Sequence, residues 1–277
     1  MHEIKIIALD LDGTLLNSNK ELTAGNYAAL QKAAAAGIEI VPTTGRFYSG
    51  MPEVIRKLPF VHYAITINGA AVYDVRKQQD IAKAELPMQK AMEIMSYLDT
   101  LPVIYDCYMD NWGWMTRSQW KKAEEFAPNA HYLKMIKELR TPVPDLKTHL
   151  LETGHDVQKI QFFVQDMKLR EDLLWLIPNL FPETAVSTSV SNNIEINDLH
   201  ANKGEAVGKL VAYLGFDVSQ TMSFGDGLND LSMIQAAGIG VAMANACQEV
   251  LQAADETTAD CDHDGVAAGI EKFCFHN

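Results

Sequence analysis

The chain is poor in cysteine and has no long apolar run. Its 277 residues include only four cysteines, Cys107, Cys247, Cys261 and Cys274, and none has the CxxC spacing. This scatter argues against a disulfide framework or a zinc site and predicts reduced thiols. No apolar stretch approaches the roughly 20 residues that a membrane span needs. The N-terminal segment also lacks the features of a signal peptide. We therefore expect a soluble, cytoplasmic protein.

Basic residues are scarce relative to acidic ones. The chain has 23 Lys and Arg against 36 Asp and Glu, for a formal net charge of -13. Such a charge argues against sequence-independent binding to nucleic acid and against binding to anionic membranes. Hydrophobic residues make up 48% of the chain, which is enough for a substantial core. An anionic substrate would need a local cation to offset the repulsion.

Strand and helix patterns alternate in the first and last parts of the chain. A strand at residues 5–9 is followed by a helix at 23–36, with Thr23 as its N-cap and Gly37 after its end. Further strands are predicted at 38–41 and 63–67, with a helix at 48–58 between them. The alternation returns with a helix at 204–214 and strands at 221–224 and 239–241. This order predicts a doubly wound α/β fold around a parallel sheet.

The middle of the chain has a different pattern. We predict a helix at residues 88–101, a hairpin around Asp110 and Asn111, and a second hairpin within 185–196. Strands joined by tight turns form antiparallel sheets, so this region is expected to be an inserted α+β domain. The predicted division is a discontinuous core of residues 1–83 and 194–277 with an insertion at 84–193.

Small polar or acidic residues follow several of the predicted strands. They are Asp10, Asp12, Thr43, Thr44, Asn68, Asp226, Asn229 and Asp230. The carboxyl ends of parallel strands lie at one edge of a sheet, where ligands bind in such folds. Carboxylates, backbone carbonyls and water suit Mg²⁺, which Asp10 and Asp226 could bind. The sequence therefore predicts an acidic metal site at this edge.

Phosphoryl transfer is the chemistry that these residue types permit. One carboxylate beside the metal could attack phosphorus, which divides the transfer into two steps. A second carboxyl group could protonate the leaving oxygen and then deprotonate the attacking water. Thr44, Asn229 and backbone N–H groups could hold phosphate oxygens, and Lys203 could balance the charge.

Four motifs carry a resemblance to a known family. They are DLDGTL at residues 10–15, TGR at 44–46, KG at 203–204 and GDGLND at 225–230. With these motifs in this order, the chain resembles the haloacid dehalogenase superfamily of phosphatases. It resembles more narrowly the Cof-type sugar-phosphatase branch, whose C2-type α/β cap the insertion resembles.

The resemblance implies roles for five charged residues. Asp10 would be the nucleophile and a Mg²⁺ ligand, and Asp226 a further ligand. Asp12 would be the general acid and base and would offer its backbone carbonyl to the metal. Lys203 would stabilise charge, and Asp230 would orient Lys203 or a metal-bound water.

The resemblance also implies a phosphate-binding set of Thr44, Gly45 and Asn229. The roles of two neighbours stay open from the sequence. Arg46 could bind substrate phosphate or form a structural ion pair. Asn68 could shape the site or merely tolerate a turn.

The expected function is Mg²⁺-dependent hydrolysis of a small phosphomonoester, with a sugar phosphate as the leading substrate class. The expected partner is a small phosphorylated metabolite, and a homodimer is left open. Two alternatives remain, a phosphomutase and a non-catalytic binding protein on the same fold. A membrane-pumping ATPase shares the chemistry but is excluded by the absent spans.

Two further features allow both a functional and a structural interpretation. Trp112, Trp114 and Trp120 could line a sugar-binding face, but such residues more often belong to a core or an interface. The acidic segment 255–264 is expected to be a solvated loop, with a second metal site as the alternative.

Overall fold

The chain forms two compact units. The structure is a computed structural model that describes residues 3–275. One unit combines the residues up to Lys83 with those from Asn202 onwards, and the other is Ala84–Ala201. The first division coincides with the expected boundary. The second falls after Ala201 rather than at 193/194, because the strand at Asn193–Asp198 pairs within the sheet of the second unit.

The described residues contain 14 strands and 12 α-helices. The strands are β1 (Ile6–Leu9), β2 (Glu39–Pro42), β3 (Tyr63–Thr66), β4 (Ala71–Asp74), β5 (Gln79–Lys83), β6 (Val103–Met109), β7 (Trp112–Thr116), β8 (Arg140–Val143), β9 (Lys159–Val164), β10 (Thr184–Ser187), β11 (Asn193–Asp198), β12 (Thr221–Gly225), β13 (Ile239–Ala242) and β14 (Glu256–Thr257). The helices are α1 (Ala24–Ala35), α2 (Glu53–Arg56), α3 (Met88–Leu98), α4 (Arg117–Lys121), α5 (Ala123–Phe126), α6 (Ala130–Leu139), α7 (Leu146–Thr153), α8 (Met167–Leu180), α9 (Lys203–Leu214), α10 (Leu231–Ala236), α11 (Gln248–Ala253) and α12 (Gly265–Ile270).

A five-stranded parallel sheet forms the centre of the first unit, in the order β14-β13-β12-β1-β2. Alternate residues of β1 enter different cores because successive side chains of a strand point to opposite faces. Ile7 and Leu9 pack in a cluster with residues of α1 and α12. Ile6 and Ala8 pack in another cluster with residues of α9. Helices therefore cover both faces, which confirms the predicted doubly wound fold.

The region after β2 differs from the prediction in two ways. Residues 48–58 do not form one helix, because Pro52 separates a 3₁₀ turn at Tyr48–Gly50 from the short α2. The next strand, β3, belongs to a three-stranded antiparallel sheet with β4 and β5. A single parallel bridge from Thr43 to Ile65 links β3 to the end of β2.

The second unit is built on a six-stranded sheet in the order β10-β11-β9-β6-β7-β8. Its pairs are antiparallel except for β7 with β8. Both predicted hairpins are present, and the β6–β7 turn has positive φ at Asp110 and Asn111. Residues 117–155 contain α4 to α7 and β8, elements that the sequence analysis does not predict.

Every helix within residues 3–275 is too short or too polar to span a bilayer. The longest, α8, has 14 residues.

Asn26 joins two distant segments of the first unit. This side chain in α1 is fully buried, its Nδ2 donates to the Leu15 carbonyl at 3.2 Å, and its Oδ1 accepts from the Ala267 amide at 3.0 Å. The bonds satisfy backbone groups in the loop after β1 and in α12. Each buried group left without a partner would cost roughly 1–3 kcal/mol.

We predict that Asn26→Ala lowers the free energy of unfolding by about 2–4 kcal/mol, because two backbone groups lose their partner. Urea denaturation measures this change. Gln31→Ala, at an exposed position of the same helix, is the matched control and should change stability by less than about 0.5 kcal/mol. Equal effects of both substitutions would contradict the bridging role of Asn26.

Candidate active site

A buried lysine connects two aspartates at the carboxyl edge of the parallel sheet. Lys203 is the first residue of α9, whose N-cap is Asn202, and it is fully buried. Its Nζ donates to Asp10 Oδ1 at 2.6 Å and to Asp230 Oδ1 at 2.5 Å. Asp10 directly follows β1, and its amide donates to the Phe224 carbonyl of β12 at 3.0 Å. The pairing of β1 with β12 therefore fixes the position of Asp10.

Asp230 organises the loop after β12. Its Oδ2 accepts from the amides of Asp226 and Gly227, both at 2.9 Å, while its Oδ1 binds Lys203. Carboxylate oxygens of Asp10, Asp226 and Asp230 all lie within 4.8 Å of one another. Since both oxygens of Asp230 already have donors, Asp10 and Asp226 are the carboxylates better suited to bind a metal ion.

The crowding of these carboxylates changes their titration. Burial, with repulsion from Asp230 and Asp226, raises the pKa of Asp10 to about 7 against the opposing effect of Lys203. Burial likewise raises the pKa of Asp226 to about 6, although its hydrogen bond from Thr14 acts in the opposite direction. Raised pKa values mean that the ionised forms are poorly compensated, which is what a bound divalent cation would correct.

The carboxylate oxygens of Asp10 and Asp226 are suitable ligands for Mg²⁺. Thr14 Oγ1 donates to Asp226 Oδ1 at 2.7 Å, which orients that carboxylate. Gly13 has φ of +100°, and a Cβ at this position would lie 2.6 Å from Asp226 Oδ2. A glycine is therefore needed where the turn after Asp12 approaches Asp226. Hard oxygen ligands on two fixed segments match the preference of Mg²⁺ for few protein carboxylates.

The carboxylate of Asp12 forms ion pairs with two basic side chains. Arg46 donates to it through Nε and Nη2, both at 3.0 Å, and Lys20 Nζ lies 3.1 Å from its Oδ1. Although burial opposes the change, the charges of Arg46 and Lys20 lower the pKa of Asp12. Of the two interpretations of Arg46, the structure contains the ion pair. Lys20 carries no signal in the sequence that would have identified it.

The expected phosphate-binding residues lie together around Asn68. The Thr44 amide donates to the Ile65 carbonyl at 2.9 Å, and its Oγ1 accepts from the Arg46 amide at 3.2 Å. Asn229 Nδ2 donates to Asn68 Oδ1 at 3.5 Å. A Cβ on Gly45 would lie 2.8 Å from the same oxygen. The TGR segment and the loop after β12 thus meet at this side chain.

The three tryptophans do not form one aromatic face. Trp114 packs against a hydrophobic cluster that includes Leu150, and its ring centroid lies 4.3 Å from that of His149. Trp120 packs against a separate cluster that includes Phe163. Trp112 shares the side of β7 that Trp114 occupies, and its Nε1 donates to Thr141 at 2.8 Å. The structural interpretation fits Trp114 and Trp120.

The carboxylates of the acidic segment at residues 255–264 do not converge on one point as metal ligands would. Asp260, Asp262, Asp264, Gly265 and Glu271 have the spacing of an EF-hand calcium loop. However, α12 begins at Gly265, and Glu271 pairs with Lys32 at 2.7 Å. Within residues 3–275, the only close group of three potential metal-ligating side chains is the one at Asp10. A second metal site therefore has no support.

The fold and this edge of the sheet define the class of enzyme to which the chain belongs. The chain belongs to the haloacid dehalogenase-like hydrolases, whose family model matches residues 7–270. The predicted membership of this superfamily is confirmed, and with it the prediction of a hydrolase of the phosphatase type.

Named relatives cover nearly the whole chain. It is 30% identical over 272 residues to a 5-amino-6-(5-phospho-D-ribitylamino)uracil phosphatase of Bacillus subtilis, covering 97% of this chain and 95% of that protein. It is 27% identical over 274 residues to a pyridoxal phosphate phosphatase of Escherichia coli, covering 96% and 97%. A solved haloacid dehalogenase-like hydrolase from B. subtilis superposes with a TM-score of 0.82 at 27% identity, covering 98% and 100% of the two chains.

We predict that Lys203→Met lowers the free energy of unfolding by about 3–5 kcal/mol, because it leaves buried carboxylates without their cation. Urea denaturation in the presence of EDTA measures this loss. Adding Asp230→Asn should recover part of it, since one of the uncompensated charges is then removed. Losses that simply add in the double variant would contradict the shared ion pair.

Proposed function

We propose that the protein is a Mg²⁺-dependent phosphatase that hydrolyses small phosphomonoesters through an aspartyl-phosphate on Asp10. The observation that supports this most strongly is the Asp10–Lys203–Asp230 arrangement. It fixes one carboxylate at the carboxyl end of β1 beside a buried cation. A nucleophile held in this way needs little reorganisation when a phosphoryl group is bound next to it.

The reaction proceeds in two displacements. A carboxylate oxygen of Asp10 attacks phosphorus, and the bond from phosphorus to the ester oxygen breaks as Asp12 gives that oxygen a proton. Asp12 then takes a proton from water, the water oxygen bonds to phosphorus, and the bond to Asp10 breaks. Phosphate leaves, and both carboxyl groups return to their starting states. Thr44, Gly45 and Asn229 hold the phosphoryl oxygens during both steps.

The ion pair of Asp12 with Arg46 has to open before the first step. A general acid must carry a proton, whereas the two cations beside Asp12 favour its carboxylate. The pair is partly exposed, with 32% of the Asp12 side chain and 23% of the Arg46 side chain accessible. The pair is bidentate and Lys20 also contacts Asp12, so it is stronger than an isolated surface ion pair, and substrate binding has to offset the cost of opening it.

Mg²⁺ would be held by the carboxylates of Asp10 and Asp226 and by the backbone carbonyl of Asp12. When bound, it would offset the negative charge of protein and phosphoryl group and polarise the phosphoryl oxygens. Lys203 and Asp230 would keep the surrounding charges in place. Thr14 would hold Asp226 in the orientation required for binding.

A sugar phosphate is the substrate class that we propose. The relative from B. subtilis is named for a phosphorylated ribityl compound and the one from E. coli for pyridoxal phosphate. Both are small phosphomonoesters. The residues of Ala84–Ala201 would supply the specificity, as a cap inserted into the catalytic core.

We predict that the protein releases phosphate from sugar phosphates in the presence of Mg²⁺ and that EDTA abolishes the release. A panel of sugar phosphates, nucleotides, pyridoxal phosphate and p-nitrophenyl phosphate, assayed for free phosphate, tests this. Asp10→Asn keeps the shape of the side chain but removes the nucleophilic charge, so it should lower turnover by at least about 10³-fold.

The outcomes separate the proposal from its alternatives. Mg²⁺-dependent release that Asp10→Asn removes, with an unchanged circular dichroism spectrum, supports the proposal. Release that continues in EDTA would contradict the metal dependence. No release from any ester would return the phosphomutase and the binding protein to consideration.

A further inference from the structure

The turn after β3 has an unusual backbone. Ile67, Asn68 and Gly69 are consecutive and have φ of 53°, 57° and 98°. A β-branched residue such as Ile67 is rarely found with positive φ. Strained backbone persists only where the surrounding structure holds it, and such places are often functional sites.

Contacts with two segments of the candidate site hold this turn. The amides of Ile67 and Asn68 donate to the carbonyls of Arg46 and Thr44 at 3.0 and 3.1 Å. On the other side, a Cβ at Gly69 would lie 2.3 Å from the carbonyl oxygen of Asn202, the N-cap of α9. The turn is therefore packed between the TGR segment and the helix that begins with Lys203.

This conformation directs the Asn68 side chain to the expected phosphate-binding residues. Only 7% of Asn68 is exposed. Its Oδ1 accepts the 3.5 Å bond from Asn229 Nδ2. The other polar atom of the Asn229 side-chain amide, Oδ1, faces Gly227, where it would lie 2.7 Å from a Cβ. The amide of Asn229 thus presents its oxygen to Gly227 and its nitrogen to Asn68.

The orientation of this amide matters for binding phosphate. Phosphoryl oxygens that carry negative charge accept hydrogen bonds, so only the N–H groups of Asn229 can bind them. An amide turned by 180° would present its oxygen and repel the phosphoryl group. The bond at 3.5 Å is too long to add much stability, but it distinguishes the two orientations.

We propose that Asn68 is a positioning residue that keeps the Asn229 amide in the orientation that donates to the phosphoryl group. The inference rests on the proposed function, because it assigns Asn229 to phosphate binding. It also gives a reason for the strained turn. A relaxed backbone at Ile67 and Asn68 would lose the bonds to Arg46 and Thr44 that place the side chain.

Asn68→Gly tests the side chain without disturbing the backbone, since glycine adopts positive φ readily. The variant is compared with the wild type in binding inorganic phosphate with Mg²⁺ by calorimetry and in hydrolysing p-nitrophenyl phosphate. We expect the affinity for phosphate to fall by up to about twofold, because the Asn229 side-chain amide can then take either orientation and only one of them binds phosphate. KM should rise while kcat changes little, because the contact exists before and during the reaction.

A double-mutant cycle distinguishes positioning from a general structural role. Asn229→Ala should weaken phosphate binding, and Asn68→Gly should then cause no further loss, because it acts through the missing amide. A general structural role would give losses that add. Gln78→Gly is the matched control, since Gln78 is an exposed residue with φ of 55° in the turn between β4 and β5.

Each outcome decides the inference. A wild-type protein that neither binds phosphate nor hydrolyses the ester would overturn the proposed function and this inference with it. A functional wild type with an unaffected Asn68→Gly variant, or with additive losses in the cycle, would overturn this inference alone. Loss of affinity in the single variant and none beyond it in the Asn229→Ala background supports the positioning role.

Discussion

The buried charge of Lys203 is the constraint on which the rest of the site depends. A lysine without access to water must be paired, because an isolated ammonium group in the interior would cost several kcal/mol. Its partners, Asp10 and Asp230, follow β1 and β12, and they lie 193 and 27 residues away along the chain. The parallel pairing of β1 with β12 brings these two carboxylates together. The same ion pair holds the loop from which Asp226 faces Asp10.

The sequence was sufficient for those parts of the fold in which local pattern and tertiary structure agree. Thr23 caps α1 through a bond from the Asn26 amide, and Gly37 follows with φ of +83°. The hairpin around Asp110 and Asn111 needs positive φ at two positions, which these residue types tolerate. The aspartates of the motifs could be identified because they follow strands, whereas Lys203, the first residue of α9, could be identified only from its place between the other motifs. Their assignment to Mg²⁺, nucleophile and proton donor stays a prediction.

Other features depend on contacts that no local pattern records. The pairing of β3 in a separate antiparallel sheet is set by β4 and β5, and β5 has no buried residue and a largely polar sequence. The pairing of Asp12 with Lys20 arises from the path of the loop after β1. In the segment from Asp260 to Glu271 a local pattern is present but the tertiary structure does not use it. The spacing is typical of a calcium loop, but α12 lies between Glu271 and the three aspartates. For Asn68 the sequence leaves two roles open, shaping the site and tolerating a turn, and only the structure shows that its side chain contacts two loops of the site.

The central claim is that Asp10 carries the phosphoryl group during turnover. The most direct measurement is a single turnover of p-nitrophenyl phosphate with Mg²⁺ and excess enzyme, quenched in acid and followed by mass spectrometry of the peptide that contains Asp10. We predict that this peptide gains the mass of one phosphoryl group, located on Asp10, and loses it as free phosphate appears. Full release of phosphate with Asp10 unmodified at every time, or with the group on another residue, would contradict the account.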